Sequence, residues 1–167
     1  MTTTALSIAI ITCSNRSAAG TRPDDSGVLL AELIEELGHR VGFRVVVADD
    51  IAQIGAAVTE AVDGGAAVVF TTGGTGLTPT DVTPEAVRPL LDREVPGIAE
   101  ALRLQAHDTV PTAVLSRGVA GVVGAALVVT LPGSPGGVRD GVALLAPLLV
   151  HAVDQIRGGD HRPGGGV

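Results

Sequence analysis

The apolar run Ala66-Ala67-Val68-Val69-Phe70 passes through Thr71-Thr72 into Gly73-Gly74-Thr75-Gly76, three glycines within four residues, and helix-start chemistry follows at Thr83-Pro84-Glu85. A short apolar run that ends in glycines reads as a buried strand. Thr83 has the hydroxyl of an N-cap, proline suits the first helical position, and Glu85 puts negative charge in the first turn. Strand, Gly-rich loop and helix in that order commit this region to an α/β unit. They also bring backbone N–H groups and a helix dipole together, which makes a cradle for an anion. An ordinary tight turn would use the same glycines, but the donor-rich helix start behind them favours the cradle. Asp81 sits inside it. A carboxylate repels phosphate, so this position makes sense mainly with a divalent cation between the two. The bland alternative is a helix-dipole partner worth ~0.5 kcal/mol.

Two familiar nucleotide loops are excluded. A P-loop needs its lysine on the phosphates, and this chain contains no lysine. The dinucleotide fingerprint G-x-G-x-x-G fails because Gly74-Thr75-Gly76 is followed by Pro79 where a glycine is required.

Strand and helix patterns alternate along the rest of the chain. Leu6 to Thr12, Phe43 to Ala48 and Ala66 to Thr72 read as strands. Leu30, Leu33, Ile34 and Leu37 form a helical stripe that ends at Gly38, and Ile51, Ile54, Val58 and Val62 form another, stopped by Gly64-Gly65. Helices are expected at Thr83 to Leu91 and at Pro96 to about Asp108. Thr112 to Leu115, Val119 to Val123 and Ala126 to Leu131 read as strands, the last two paired around Gly124-Ala125. A final helix carries Val138, Val142, Leu145, Leu149, Ala152 and Ile156 on one face, with a kink at Pro147. The expectation is one three-layer α/β/α domain over residues 1–157 with a mostly parallel sheet, and a disordered Gly-rich tail over 158–167.

Composition narrows the function. A net charge of −7 argues against nucleic-acid binding, and the absence of Trp and Tyr removes the usual base-stacking platforms. Cys13 alone cannot form an internal disulfide, which fits a reducing cytoplasm. It lies at the end of an apolar strand, so a buried structural thiol is favoured over a nucleophile. The start Met1-Thr2-Thr3-Thr4 lacks the basic region of a secretory leader. The stretch from Gly118 to Val138 has no charge but is broken by glycines and prolines, so it reads as a strand hairpin and not as a membrane span.

In an open α/β sheet, ligands bind beyond the carboxyl ends of the strands. Four such ends here carry polar or Gly-rich turns: Ser14-Asn15-Arg16, Asp49-Asp50, Gly73 to Asp81, and Gly133 to Gly137. Asp49 and Asp50 could each cap the helix near Ile51, and Ser134 could simply cap the last helix. Arg16, Arg22, Arg117 and Arg139 are candidates for anion contacts, against the bland reading of solvated surface groups. The histidines His39, His107, His151 and His161 show no metal-ligand spacing.

Taken together, Thr72-Gly73-Gly74-Thr75-Gly76 and Asp81-Val82-Thr83-Pro84-Glu85-Ala86 resemble the signature of the MogA/MoaB molybdenum-cofactor proteins, whose fold recurs in the gephyrin G-domain, MoeA and CinA. Ser14-Asn15-Arg16 is similar to the family's Ser-Asp-Arg strand end, with Asn15 where Asp is more usual. Asp25-Ser26-Gly27, Glu94-Val95-Pro96-Gly97, Leu115-Ser116-Arg117 and Leu131-Pro132-Gly133-Ser134-Pro135 follow in the family's order. The resemblance implies a molybdopterin-binding-domain fold and transfer of AMP from Mg²⁺-ATP to molybdopterin. It makes Asp81 and Asp49 the catalytic and Mg²⁺-binding carboxylates, and leaves Asp50 as the cap. It assigns substrate or nucleotide binding to Ser14, Thr72, Gly73, Gly74, Thr75, Gly76, Pro132, Gly133 and Ser134. It further implies a cytoplasmic homo-trimer or hexamer and a downstream molybdenum-insertion protein as partner, with no nucleic acid and no membrane. Two alternatives remain: a non-catalytic MoaB-like pterin-binding or assembly protein, kept open by Asn15, and a CinA-type nucleotide-processing domain, whose chains are usually longer.

Overall fold

The computed structural model describes residues 4–159. The N-terminal Met1-Thr2-Thr3, His161 and most of the tail expected to be disordered lie outside the described residues. Six strands form one sheet: β1 (Ser7–Cys13), β2 (Arg40–Val47), β3 (Val68–Thr72), β4 (Arg93–Glu94), β5 (Ala120–Val123) and β6 (Ala126–Leu131), in the order β2-β1-β3-β6-β5-β4. The first four in that order are parallel, and β5 and β4 add an antiparallel edge. The helices are α1 (Asn15–Ala18), α2 (Asp25–Glu36), α3 (Ile51–Asp63), α4 (Thr83–Val87), α5 (Pro96–His107), α6 (Pro135–Leu145) and α7 (Leu149–Ile156).

Side-chain alternation explains the three layers. On β1, Ile8 and Ile10 face a core built with Leu30 and Ile34 of α2, Val138, Val142 and Leu145 of α6, and Leu149 and Val153 of α7. Ala9, Ile11 and Cys13 face the opposite core, built with Ile54, Ala57 and Val58 of α3 and Ala86 and Val87 of α4. On β3 and β6, Phe70, Leu127 and Val129 serve the first core, Val69 and Val128 the second. Apart from Phe70, Cys13 and the partly buried Phe43, both cores are aliphatic. The parallel register pairs Cys13 with Val47, Thr12 with Thr72, and Thr72 with Leu131. The carboxyl ends of β1, β2, β3 and β6 therefore open on one edge, as the sequence predicts.

Several local expectations need correction. Thr112 to Leu115 is not a strand: Pro111–Leu115 is a 3-10 turn with Thr112, Val114 and Leu115 exposed. Pro111 has no N–H for a ladder, and the place beside β6 is taken by β5. The two-residue strand β4 was not anticipated from the sequence. The helix expected over Thr83 to Leu91 is α4 followed by a 3-10 turn, Arg88–Leu90, that includes Pro89. At Pro147 the final helix does not merely kink; it breaks into α6 and α7, bent by 64°. Among the described residues no single helix is long and apolar enough to cross a membrane. Thr83 is not the cap of α4. It lies in the first turn, its Oγ1 donates to Gly73 O at 2.9 Å, and Val82 precedes it with no capping side chain.

Candidate functional site

A polar cleft of about 640 Å³ lies on the edge where the parallel strands end. Ser14, Asn15, Arg16, Arg22, Asp49, Thr72, Gly73, Gly74, Thr75, Gly76, Asp81 and Gly133 all line it. Ser14 caps α1, its Oγ accepting from Ser17 N at 3.2 Å. Asp50 caps α3, accepting from Gln53 N at 2.9 Å, which leaves Asp49 for the cleft as expected. Asp24 caps α2 and is tied to Arg44 of β2 at 2.9 Å.

Asp49 is oriented across the mouth of the sheet. Asn15 N donates to Asp49 Oδ2 at 2.9 Å, and Asp49 N donates to Asn15 Oδ1 at 3.0 Å. Its other oxygen, Oδ1, lies 3.3 Å from where a Cβ on Gly74 would stand. Asp81 is held from the opposite side. Thr78 N and Thr78 Oγ1 donate to Asp81 Oδ2 at 2.9 and 2.7 Å, and the same Oδ2 lies 2.7 Å from where a Cβ on Gly76 would stand. Each carboxylate thus lies against one glycine of the loop, and a Cβ on Gly76 would displace that of Asp81.

The loop path also demands glycine. Gly73 and Gly74 have φ of 97° and 66°, a region that side chains resist. A Cβ on Gly73 would strike Cys13 O, and one on Gly74 would strike Thr83 Oγ1. Thr83 fixes both peptides, through Oγ1 to Gly73 O and through its N–H to Gly74 O at 3.1 Å. Thr72 Oγ1 donates to Pro132 O at 2.9 Å and couples this loop to the one after β6. There Gly133 comes so close that a Cβ would lie 3.1 Å from Gly73 Cα.

Pro132 and Ser134, also expected at the site, line a second cavity of about 310 Å³. It adjoins the cleft through the shared Thr75 and Gly76, and Ala99, Leu102, Ala106, Val110 and Leu115 make it more apolar. Ser134 also caps α6, its Oγ accepting from Gly137 N at 3.1 Å, so both readings of this residue are compatible. Of the candidate arginines, Arg16 and Arg22 line the cleft, Arg139 is exposed on α6 and lines neither cavity, and Arg117 binds the loop from behind.

Residues not singled out from the sequence also matter. Thr12 Oγ1, in the cleft wall, is buried with no hydrogen-bond partner, a costly state unless a ligand or water engages it. Thr78 orients Asp81 although its only signal is a Thr-x-x-Asp spacing, in which the acidic side chain reaches back three residues to the threonine N–H as in a capping box. Cys13 is buried, and desolvation pushes its thiol up to about 12, with Thr83 acting in the opposite sense and Asp49 adding to the rise. It is therefore a neutral structural thiol at physiological pH.

Among the described residues no group of three or more His, Cys, Asp or Glu side chains could hold a metal ion alone. That does not oppose Mg²⁺, which is commonly held by one or two carboxylates with substrate phosphates and water. Asp49, after β2, and Asp81, at the end of the Gly-rich loop, are hard oxygen donors of that kind in the cleft lining.

Residues 9–151 match the family described as Probable molybdopterin binding domain. A molybdopterin adenylyltransferase from Pyrococcus furiosus is 37% identical over 153 residues, covering 89% of each chain. A molybdenum cofactor biosynthesis bifunctional protein from Synechococcus elongatus is 40% identical over 152 residues, covering 91% of this chain and 48% of that one, so the chain spans about half its length. The molybdopterin biosynthesis Mog protein structure from Mycobacterium ulcerans superposes with a TM-score of 0.86 at 47% identity, covering 91% of this chain and 99% of that one. A parallel sheet opening on a Gly-rich cradle and a match over most of the chain lead to one conclusion: the chain belongs to the MogA/MoaB family of probable molybdopterin binding domains, with relatives named for molybdenum cofactor biosynthesis.

Proposed function

We propose that the chain acts in molybdenum cofactor biosynthesis as a molybdopterin adenylyltransferase, moving AMP from ATP to the terminal phosphate of molybdopterin. The observation that carries this reading is the placement of Asp49 and Asp81 against Gly74 and Gly76 in a polar cleft that adjoins a more apolar cavity. Phosphates belong in the polar cleft, among loop N–H groups, Arg16 and Arg22. A flat heterocycle belongs in the adjoining cavity, beside Pro132 and Ser134.

Phosphoryl-type transfer asks a protein chiefly for positioning and charge stabilisation. An oxygen of the pterin phosphate attacks the α-phosphorus. The bond from that phosphorus to the bridging oxygen breaks, and pyrophosphate leaves with the electron pair. The loop residues Gly73 to Gly76 hold anionic oxygens, and Asp49 and Asp81 would hold Mg²⁺. When bound, Mg²⁺ offsets charge on the transferring group. The family resemblance adds a homo-trimer or hexamer, a cytoplasmic setting and a molybdenum-inserting partner to the proposal.

Asn15 favours a second reading, a non-catalytic pterin-binding protein. It stands where a carboxylate is more usual, and leaves the cleft one negative charge short. Incubation with molybdopterin, ATP and Mg²⁺ separates the two. Adenylated pterin and pyrophosphate, both lost in excess chelator, support the enzyme. Pterin binding without adenylation supports the second reading.

A further inference from the structure

We propose that Arg117 is a positioning residue that holds the Gly-rich loop, and through it the Asp81 carboxylate, in its phosphate-binding geometry; this rests on the function proposed above. Arg117 follows the 3-10 turn Pro111–Leu115 and lies outside the cleft, in an open groove with Pro84, Glu85 and Arg88. From there it grips the loop at three points. Its backbone N–H donates to Thr75 O at 2.8 Å, its Nε to Gly76 O at 2.8 Å, and an Nη to Asp81 O at 2.6 Å. The rest of the fork pairs with Glu85 in the first turn of α4.

One guanidinium therefore ties both ends of the exposed segment 77–80 to the helix that follows it. Within that segment Asp81 N donates to Thr78 O at 2.9 Å, and Thr78 donates twice to the Asp81 carboxylate. Backbone and carboxylate of Asp81 form one unit, so moving the Asp81 carbonyl moves the carboxylate. Carbonyl oxygens facing a phosphate would repel it, and Arg117 occupies those of Gly76 and Asp81 from the other side. Arg117 serves two carbonyls and a carboxylate from three separate nitrogens of one rigid plane, a spread that the single nitrogen of an ammonium does not reproduce. The pair with Glu85 is a third to a half exposed, which makes it a weak contributor to global stability. Its value lies in where it holds the loop.

The test compares wild type, Arg117→Lys and Arg117→Ala, the last with and without millimolar guanidinium far below denaturing concentrations. Five quantities are measured: hydrogen exchange at the Thr78 and Asp81 amides, Mg²⁺-ATP affinity, kcat and KM for adenylation, and Tm. Misplacement of about 1 Å can cost on the order of 10²-fold in rate. We expect Arg117→Ala to lose kcat on that scale with a smaller change in KM. The two loop amides should exchange at least about tenfold faster while those of β1 and β3 stay protected. Guanidinium should partly restore both readouts in Arg117→Ala, and Arg117→Lys should remain impaired. Loop amides that exchange as in wild type overturn the proposal, and so does a loss matched by faster exchange in β1 and β3. If wild type binds Mg²⁺-ATP but never adenylates, the enzyme reading fails while exchange and nucleotide affinity still decide the role of Arg117. If wild type does not bind Mg²⁺-ATP, guanidinium-reversible exchange at Thr78 and Asp81 supports the clamp and unchanged exchange refutes it.

Discussion

Asn15 and Asp49, on the ends of neighbouring strands, exchange two hydrogen bonds: each backbone N–H is taken by the other's side chain. Because Asp49 N–H must meet an acceptor, the Asn15 oxygen is turned toward it, which leaves the Asn15 amino group as a donor in the cleft wall. An aspartate at the same place would accept the same bond but would add a charge and remove that donor.

Asn15→Asp is therefore expected to fold normally and to weaken binding of a phosphorylated ligand in the absence of Mg²⁺. A like charge a few ångströms away costs ~1 kcal/mol even in high dielectric, which is several-fold in affinity. The loss should shrink as Mg²⁺ is added. Titration of ATP at several Mg²⁺ concentrations reads this directly, and equal affinities at all of them would remove Asn15 from the electrostatics of the site.

Asp81→Asn should keep the fold, since the amide oxygen can still accept from Thr78. Turnover should fall by ~10²–10³ as one transition-state electrostatic contact is lost. Steady-state adenylation beside circular dichroism separates the two effects. Near-normal turnover would end the catalytic role of Asp81.

Gly74→Val should abolish ligand binding. Its φ of 66° opposes a β-branched residue by about 1–2 kcal/mol, and its Cβ would meet Thr83 Oγ1 and Asp49 Oδ1. Calorimetric titration with ATP and Mg²⁺ should show no binding while the thermal transition remains cooperative. A variant that binds as wild type does would refute the close-approach argument.

His39 gives a pH dependence remote from the site. It is buried, its Nδ1 accepts from Leu6 N at 3.4 Å, and burial lowers its pKa from 6.5. The folded state prefers the neutral ring, so the unfolded chain binds the proton more readily. His39 stability is fully present above pH 6.5 and is lost as pH falls from there through the folded value. The melting temperature of wild type should drop more steeply from pH 7 to 5 than that of His39→Gln. Parallel curves would show that His39 does not titrate on unfolding.

The strands β1, β3 and β6 and the loop after β3 were legible because each is a dense apolar run closed by glycine, proline or polar residues. Thr112 to Leu115 misled because a short apolar run carries no period, and Pro111 decided its conformation. The two-residue β4 is too short to leave a pattern. Asp49 and Asp81 were legible as loop carboxylates, but their orientation was not, because it depends on partners such as Asn15, 34 residues away. Arg117 appeared as one of four anion contacts, whereas it binds carbonyls 36 and 41 residues distant and does not line the polar cleft. Pro132 and Ser134 were expected with the other binding residues, but the bend from β6 into α6 turns them to the neighbouring cavity.

Gly133 against Gly73 has a mechanical consequence. The two loops meet there as bare main chain, and Thr72 bolts one to the other through Pro132. No side chain lies between them to take up a displacement. Crowding at either glycine would therefore displace both loops of the cleft together.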